Sequence, residues 1–338
     1  MGASVIAAGC GSPAAGGESS TLRLGYLPNL THAPALVGVA QGYFARALGP
    51  RTTLRTQAFN AGPSAIEALF AGSLDAAFVG PSPAINAFAK SHGEAIRVVA
   101  GATAGGAALV VQGDGHITSS NDLRGKRIAT PQLGNTQDVA LRKWLANRGL
   151  KTSPQGGGDA LVAPTDNSTI LQLFKSHAID AAWVPEPYAS RLVVESSGRV
   201  LVDEADLWPG GRFPTSMLIV STAFLGDHPD VVNRLIRGEL DTIDVLRGSA
   251  DAPAAANAAL GRLAQKGLNG PVLAAAWAHL TFDADPLASA LQREASDARA
   301  VGLLSDATLN GLLDVRGLNA VLRERGQPAV SSRGLGRG

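Results

Sequence analysis

Residues 63–84, PSAIEALFAGSLDAAFVGPSPA, and residues 167–189, NSTILQLFKSHAIDAAWVPEPYA, share one pattern. Ser64, Ile66, Leu69 and Phe70 align with Ser168, Ile170, Leu173 and Phe174. After a one-residue insertion, Leu74-Asp75-Ala76-Ala77-Phe78-Val79 aligns with Ile179-Asp180-Ala181-Ala182-Trp183-Val184. Apolar residues at helical spacing behind a serine predict a short amphipathic helix with a hydroxyl cap. The Asp-Ala-Ala-aromatic-Val run predicts a buried strand that ends in a rigid, proline-rich turn. Helix–turn–strand units are common in α/β proteins; two copies with the same Asp-Ala-Ala centre are a tighter constraint. Ligands of open parallel sheets lie beyond the carboxyl ends of strands and at helix N-termini. Two copies therefore predict two lobes, each with its own ligand edge.

A chain of 338 residues is long for one core and comfortable for two. Its formal net charge of +1 argues against a nucleic-acid or polybasic membrane partner, since no face could be strongly basic without an acidic one elsewhere. Beyond the first ten positions no run approaches the roughly 20 apolar residues of a membrane span. The single cysteine, Cys10, excludes an internal disulfide or a cysteine metal cluster. It follows Ile6-Ala7-Ala8-Gly9 and precedes GSPAAGGESS, so residues 1–20 resemble a lipoprotein signal remnant with Cys10 lipidated, followed by a flexible tether. Too few residues precede Cys10 for a complete signal, which leaves a truncated start or a plain disordered tail as the two readings.

Residues 22–26 alternate as a strand and lead into Leu27-Pro28-Asn29-Leu30-Thr31-His32-Ala33-Pro34, a loop before a helix. This places Asn29 and His32 at a strand's carboxyl end, with His32 either donating to a ligand or bonding within the turn. Ser64 opens the first repeat helix, and Gly80-Pro81-Ser82-Pro83 displays Ser82, as ligand group, as helix cap, or both. A strand at 96–100 precedes a glycine-rich segment, 101–106, whose polar group is Thr103. In the second half a strand runs into Gly134-Asn135-Thr136-Gln137 and then a helix, the shape of an anion site at a helix N-terminus. The second repeat ends in Pro185-Glu186-Pro187-Tyr188, which offers Glu186 as a cleft carboxylate facing Ser82. The expected organisation is lobe 1 over 21–112 and 221–330, lobe 2 over 113–220, and a disordered tail at 331–338. Helices at about 271–280, 286–301 and 306–323 are expected to pack outside lobe 1.

No nucleophile elbow, Walker-type loop, zinc-spaced histidine pair or paired-carboxylate motif is present, and no cofactor is expected. The runs LGYLPNLTHAPALVGVAQGYF, AGPSAIEALFAGSLDAAFVGPSPAINAF, NDLRGKRIATPQLGNTQDVALRKWL, VPEPYASRL and FPTSMLIV, in that order over residues 21–250, resemble the alkanesulfonate, taurine and nitrate group of ABC-transporter solute-binding proteins. The resemblance implies an α/β, two-lobed periplasmic-binding fold of type II with two crossings between lobes and hinge closure on a cleft ligand. It also implies an extracytoplasmic monomer, periplasmic or lipid-anchored, that delivers its ligand to a permease and ATPase and catalyses nothing. Carried over position by position, the cleft draws on Asn29, His32, Ser64, Ser82, Thr103, Gly134, Asn135, Thr136, Gln137 and Glu186, with Trp183, Tyr188 or Trp208 covering an organic tail. On this reading a sulfonate or sulfate ester docks on hydroxyls and N–H groups without a counter-charge. Glu186 keeps open a heteroaromatic cation of the thiamine-pyrimidine type, and the family also includes nitrate and bicarbonate binders. An enzyme on the same fold would need a reactive lysine or histidine cluster in the cleft.

Overall fold

A computed structural model describes residues 20–305 and 308–338, so Cys10 and its tether lie outside the described residues. The strands are β1 Ser20–Tyr26, β2 Thr52–Ala58, β3 Ala76–Val79, β4 Ile96–Gly105, β5 Ala107–Val111, β6 Arg127–Thr130, β7 Leu161–Pro164, β8 Ala181–Pro185, β9 Arg199–Asp203, β10 Pro214–Ser221, β11 Leu280–Phe282, β12 Leu313–Asp314 and β13 Gly336–Arg337. The first half carries helices α1 Ala33–Ala40, α2 Tyr43–Leu48, α3 Gly62–Phe70 and α4 Pro81–Lys90; the second carries α5 Thr136–Ala146, α6 Asn167–Lys175 and α7 Tyr188–Ser196. One sheet runs β13-β12-β4-β10-β3-β1-β2 with β11 on β4, and the other runs β7-β6-β8-β5-β9.

The repeated stretches fold alike and fall into different sheets, as α3–β3 and α6–β8. Each repeat strand pairs in parallel with an earlier strand of its own sheet, β3 with β1 and β8 with β6. On its other side each meets an antiparallel strand next to a crossing, β10 for β3 and β5 for β8. The shared aspartate explains the conserved geometry within the chain. Asp75 accepts the Arg23 N–H at 2.8 Å and donates its own N–H to the Arg23 carbonyl, and Asp180 makes the same two bonds with Arg127. A carboxylate at that position satisfies a backbone N–H of the neighbouring strand and pins the register. The expected hydroxyl caps are not formed: α3 starts at Ala61 with no side-chain cap, Ser64 lies inside the helix, and α6 is capped by the Asp166 carboxylate.

The chain changes sheet earlier than expected at both crossings. β5 belongs to the second sheet and β10 to the first, so the expected boundaries at 113 and 221 each fall one strand late. The turn between β4 and β5 is Gly105-Gly106, both at positive φ, and it is there that the backbone changes sheet. Most of the glycine-rich segment 101–106 continues β4, which runs to Gly105. The tail is also ordered, contrary to expectation: β13 pairs with β12, and Leu335 is buried against the first core.

Six further helices follow: α8 Thr222–Asp227, α9 Pro229–Gly248, α10 Ala252–Ala264, α11 Gly270–Ala278, α12 Ala288–Ala300 and α13 Arg316–Glu324. The helix expected over 306–323 is confined to α13, because β12 takes the residues before it. These helices do more than cover the first lobe. α12 packs on α4 of the first half and on α5 of the second, and α11 packs on α7, so both bridge the two halves. None of the described helices is long and apolar enough to cross a membrane.

Candidate functional site

The carboxyl ends of the repeat strands and the starts of α3, α4, α5 and α6 converge on one cavity of about 30 Å³. Its walls include Asn29, Thr31 and His32 from the first loop, and Asn60, Ala61 and Gly62 at the start of α3. Gly80 and Pro83 come from α4, and Asn135, Thr136 and Gln137 from α5. Asn167 and Pro185 complete the second side, and Thr215 of β10 adds to the first. No lysine, arginine, aspartate or glutamate lines it. Each helix N-terminus carries about half a positive charge and favours an anion by roughly 0.3–1 kcal/mol, more where water is excluded. The helix starts therefore favour an anion in the cavity, with amide and hydroxyl groups to direct it and no fixed cation in its wall.

The Gly134–Gln137 turn is held from behind. Asn135 caps α5 by accepting the Asp138 N–H at 2.9 Å, and its amide donates to Gln137 at 3.2 Å. The fully buried Asp138 carboxylate accepts from the Gly134 N–H and the Thr130 hydroxyl, each at 3.0 Å, and from Arg142 Nε at 3.1 Å. Asn135, Thr136 and Gln137 line the cavity, whereas the Gly134 N–H is consumed by Asp138 and Gly134 is not part of the wall. Thr136 reaches furthest towards the first half. A Cβ built on Gly80 would lie 2.4 Å from the Thr136 Oγ1 and 3.4 Å from the Thr215 carbonyl oxygen, so only glycine lets the halves approach this closely.

His32 also lines the cavity, and burial lowers its pKa to about 3, so the ring is neutral at physiological pH. Its Nδ1 accepts the Leu27 N–H at 3.4 Å, which leaves the proton on Nε2 and makes His32 a donor. Asn29 Oδ1 is taken by the Thr31 hydroxyl, so its amide NH₂ is the group left to donate to a ligand. A histidine kept neutral in the folded chain but protonated in the unfolded one lowers stability as pH falls from about 6.5 towards about 3. His32→Gln is expected to flatten that part of a melting-temperature-against-pH profile; an unchanged slope refutes the assignment.

Several expected residues lie elsewhere. Ser82 is fully buried and donates to Glu294 of α12 at 3.2 Å, because α12 covers that face of α4. Thr103 is buried within β4, and Ser64 is not among the cavity residues. Glu186 does not line this cavity. Its carboxylate accepts the Ser190 N–H at 3.1 Å and hydroxyl at 2.9 Å, and it lines a separate cavity of about 110 Å³ with Asp203 and His279. Pro185, one residue earlier on the alternating strand, takes the place in the cleft. Trp183 is buried in the second core and donates to Glu204 at 2.8 Å, while Trp208 stacks on Phe213. Of the three aromatics only Tyr188 borders the site, in a small adjoining pocket of about 50 Å³ with Asn29, Asn60, Asp166, Asn167 and Ser168.

Sequence reasoning missed Asn60, Asn167, Thr215 and Gly80 as wall residues. Asn60 and Asn167 stand at the starts of the two repeat helices, so the repeat itself carried their signal. Thr215 carried none, because its place depends on β10 returning to the first sheet. A much larger groove, about 720 Å³ between Trp208–Arg212 and the C-terminal residues, is lined by charges already paired with one another, such as Arg212 and Arg247 with Asp283. Among the described residues no group of three or more histidine, cysteine, aspartate or glutamate side chains could hold a metal ion.

Two sheets, two crossings and a cavity at the strand ends between them define the periplasmic-binding-protein architecture. The alkanesulfonate-binding protein of Xanthomonas axonopodis pv. citri, solved bound to MOPS, superposes with a TM-score of 0.72 at 22% identity over 86% of this chain and 96% of that one. Residues 15–261 match the model of the NMT1-like family, and the chain belongs to that family. Among curated relatives, a Brucella abortus binding protein is 32% identical over 54% of this chain and 53% of its own length. The taurine-binding periplasmic protein of Escherichia coli K12 is 28% identical over 62% of this chain and 61% of its own. The chain thus spans a little over half the length of the curated relatives it matches.

Proposed function

We propose that this protein is the extracytoplasmic solute-binding component of an ABC importer and that it captures a small oxyanion, with an aliphatic sulfonate first among the candidates, by closing its two lobes. The observation that carries the reading is the uncharged cavity at four helix N-termini, walled by asparagine, threonine, glutamine and a neutral histidine. Such a site takes a permanently ionised head group and gives no carboxylate to a cation. The heteroaromatic-cation alternative loses its motive, since Glu186 faces another cavity. The 28% identity to the taurine-binding periplasmic protein supports a sulfonate as the first candidate. The adjoining pocket with Tyr188 and Asp166 gives an aliphatic tail, or an amino group on it, a direction in which to extend. Turnover is not expected, because no lysine, cysteine or carboxylate reaches the cavity wall.

The test is thermal unfolding with taurine, ethanesulfonate, a sulfate ester, nitrate and bicarbonate. A true ligand present at about a hundredfold over its Kd stabilises by about 2.7 kcal/mol. A sulfonate is expected to raise the melting temperature of the wild-type chain, and Thr136→Ala is expected to lose most of that shift. Stabilisation by nitrate or bicarbonate alone would transfer the assignment to those ions.

A further inference from the structure

A second cavity, of about 100 Å³, lies where α12 of the first half meets α5 and the turn Glu204–Leu207 of the second. Two glutamates line it, one from each side. Glu294 of α12 and Glu204 are 2% and 1% exposed. Each has one oxygen engaged, Glu294 Oε2 with the Ser82 hydroxyl and Glu204 Oε2 with the Trp183 indole N–H. The other oxygen of each, Oε1, is buried without a hydrogen-bond partner, as is the indole nitrogen of Trp144 in the same wall. Two ionised carboxylates so placed would each carry the cost of an unsolvated charge and would repel each other across the interface.

The surrounding charges relieve this only in part: Arg293 acts favourably on both carboxylates, but burial outweighs it. Lys143 of α5 and Arg293 of α12 both pair with Asp297 of α12, at 3.7 Å and 3.6 Å. Arg293 also donates to the Leu207 carbonyl at 2.8 Å and covers the Trp208 ring, and Arg148 lies on the Trp144 ring. Asp203, next to Glu204 on β9, adds further negative charge. From α4 the facing group is the neutral Ser82.

We infer that Glu204 and Glu294 form a proton site shared between the two lobes, so that closing the lobes takes up protons and opening them releases protons. As neutral acids, both carboxyls can lie buried in the interface, and water in the cavity beside them can satisfy their free oxygens. Pulling α5 and the Glu204 turn away from α12 hydrates the pair and frees it to ionise. Burial raises both groups above the usual carboxylate range, Glu204 to about 7, with mutual repulsion adding to Glu294. A carboxyl whose pKa is higher in the closed state favours closure below that pKa and loses the effect as pH rises through it. Closure would then be easiest in acid and would weaken near and above neutrality.

This inference uses only the two-lobed hinge, not the ligand class, so it is tested without ligand. Small-angle X-ray scattering of the ligand-free full chain between about pH 5.5 and about pH 8.5 should show the radius of gyration of the wild type rising with pH. Glu204→Gln/Glu294→Gln keeps the shape of the neutral acids and should hold the low-pH radius throughout. If the double variant does not fold, Glu294→Gln alone serves in the same comparison, with a reduced rise expected. A flat wild-type profile, or a glutamine variant that still follows the wild type, overturns the inference. Failure of every oxyanion to stabilise the chain would instead count against the proposed function and leave this result standing.

Discussion

Gly80→Ala is expected to weaken ligand binding by about 10- to 100-fold while leaving the melting temperature of the ligand-free chain close to that of the wild type. Gly80 has φ −71°, which alanine adopts without strain, so the backbone of the α4 turn is not the obstacle. The obstacle is across the cleft, where the new methyl would meet the Thr136 hydroxyl oxygen at 2.4 Å. Threonine is stiff about χ1, so the hydroxyl leaves only by a change of rotamer that also removes it from the cavity, or by the halves standing further apart. Overpacking of this kind costs about 1–3 kcal/mol, and each 1.4 kcal/mol is tenfold in Kd. Calorimetric titration with whichever oxyanion stabilises the wild type reads the effect. Wild-type affinity in Gly80→Ala would mean that Thr136 and Gly80 do not meet in the bound state.

Asp138→Ala should lower the unfolding free energy by about 3–5 kcal/mol, because it leaves Arg142 charged and buried with its partner removed. Both side chains of that pair are almost wholly inaccessible. Arg142 keeps only its bond to the Ser153 carbonyl, at 2.9 Å. The same change releases the Gly134 N–H and the Thr130 hydroxyl, so the turn that presents Asn135 and Thr136 should lose its fixed geometry and its ligand. Urea denaturation measures the first effect and titration the second. Asp138→Ala/Arg142→Met, which removes both charges, should recover a large part of the stability but not the binding. If the double variant is as unstable as the single one, the buried pair is not the cause.

The repeat was the most legible part of the chain because its signals are local. Apolar spacing, the turn residues and the Asp-Ala-Ala run are each satisfied within a few residues, and the structure places them as α3–β3 and α6–β8. The site was legible where it too was local, as in the Asn135-Thr136-Gln137 start of α5, where one strand end and one helix cap meet. It was illegible where a side chain's direction depended on a distant element. Ser82 and Glu186 both stand at the ends of repeat strands, as expected. α12, arriving from far along the chain, draws Ser82 away from the cleft, and Ser190 holds Glu186 on the opposite face.

By itself the sequence determined the two-lobed class, most of the strands and helices, and the strand-to-helix turn at Gly134–Gln137. Those rest on periodicity and turn chemistry, which act over one or two turns of chain. The tertiary structure decided which groups face the cavity, that no charge lines it, and that two buried carboxyls from opposite halves line one cavity. Those depend on which strand β10 lies beside and on where α12 packs, and such long-range choices are made by burial of whole faces, which no short stretch of sequence records.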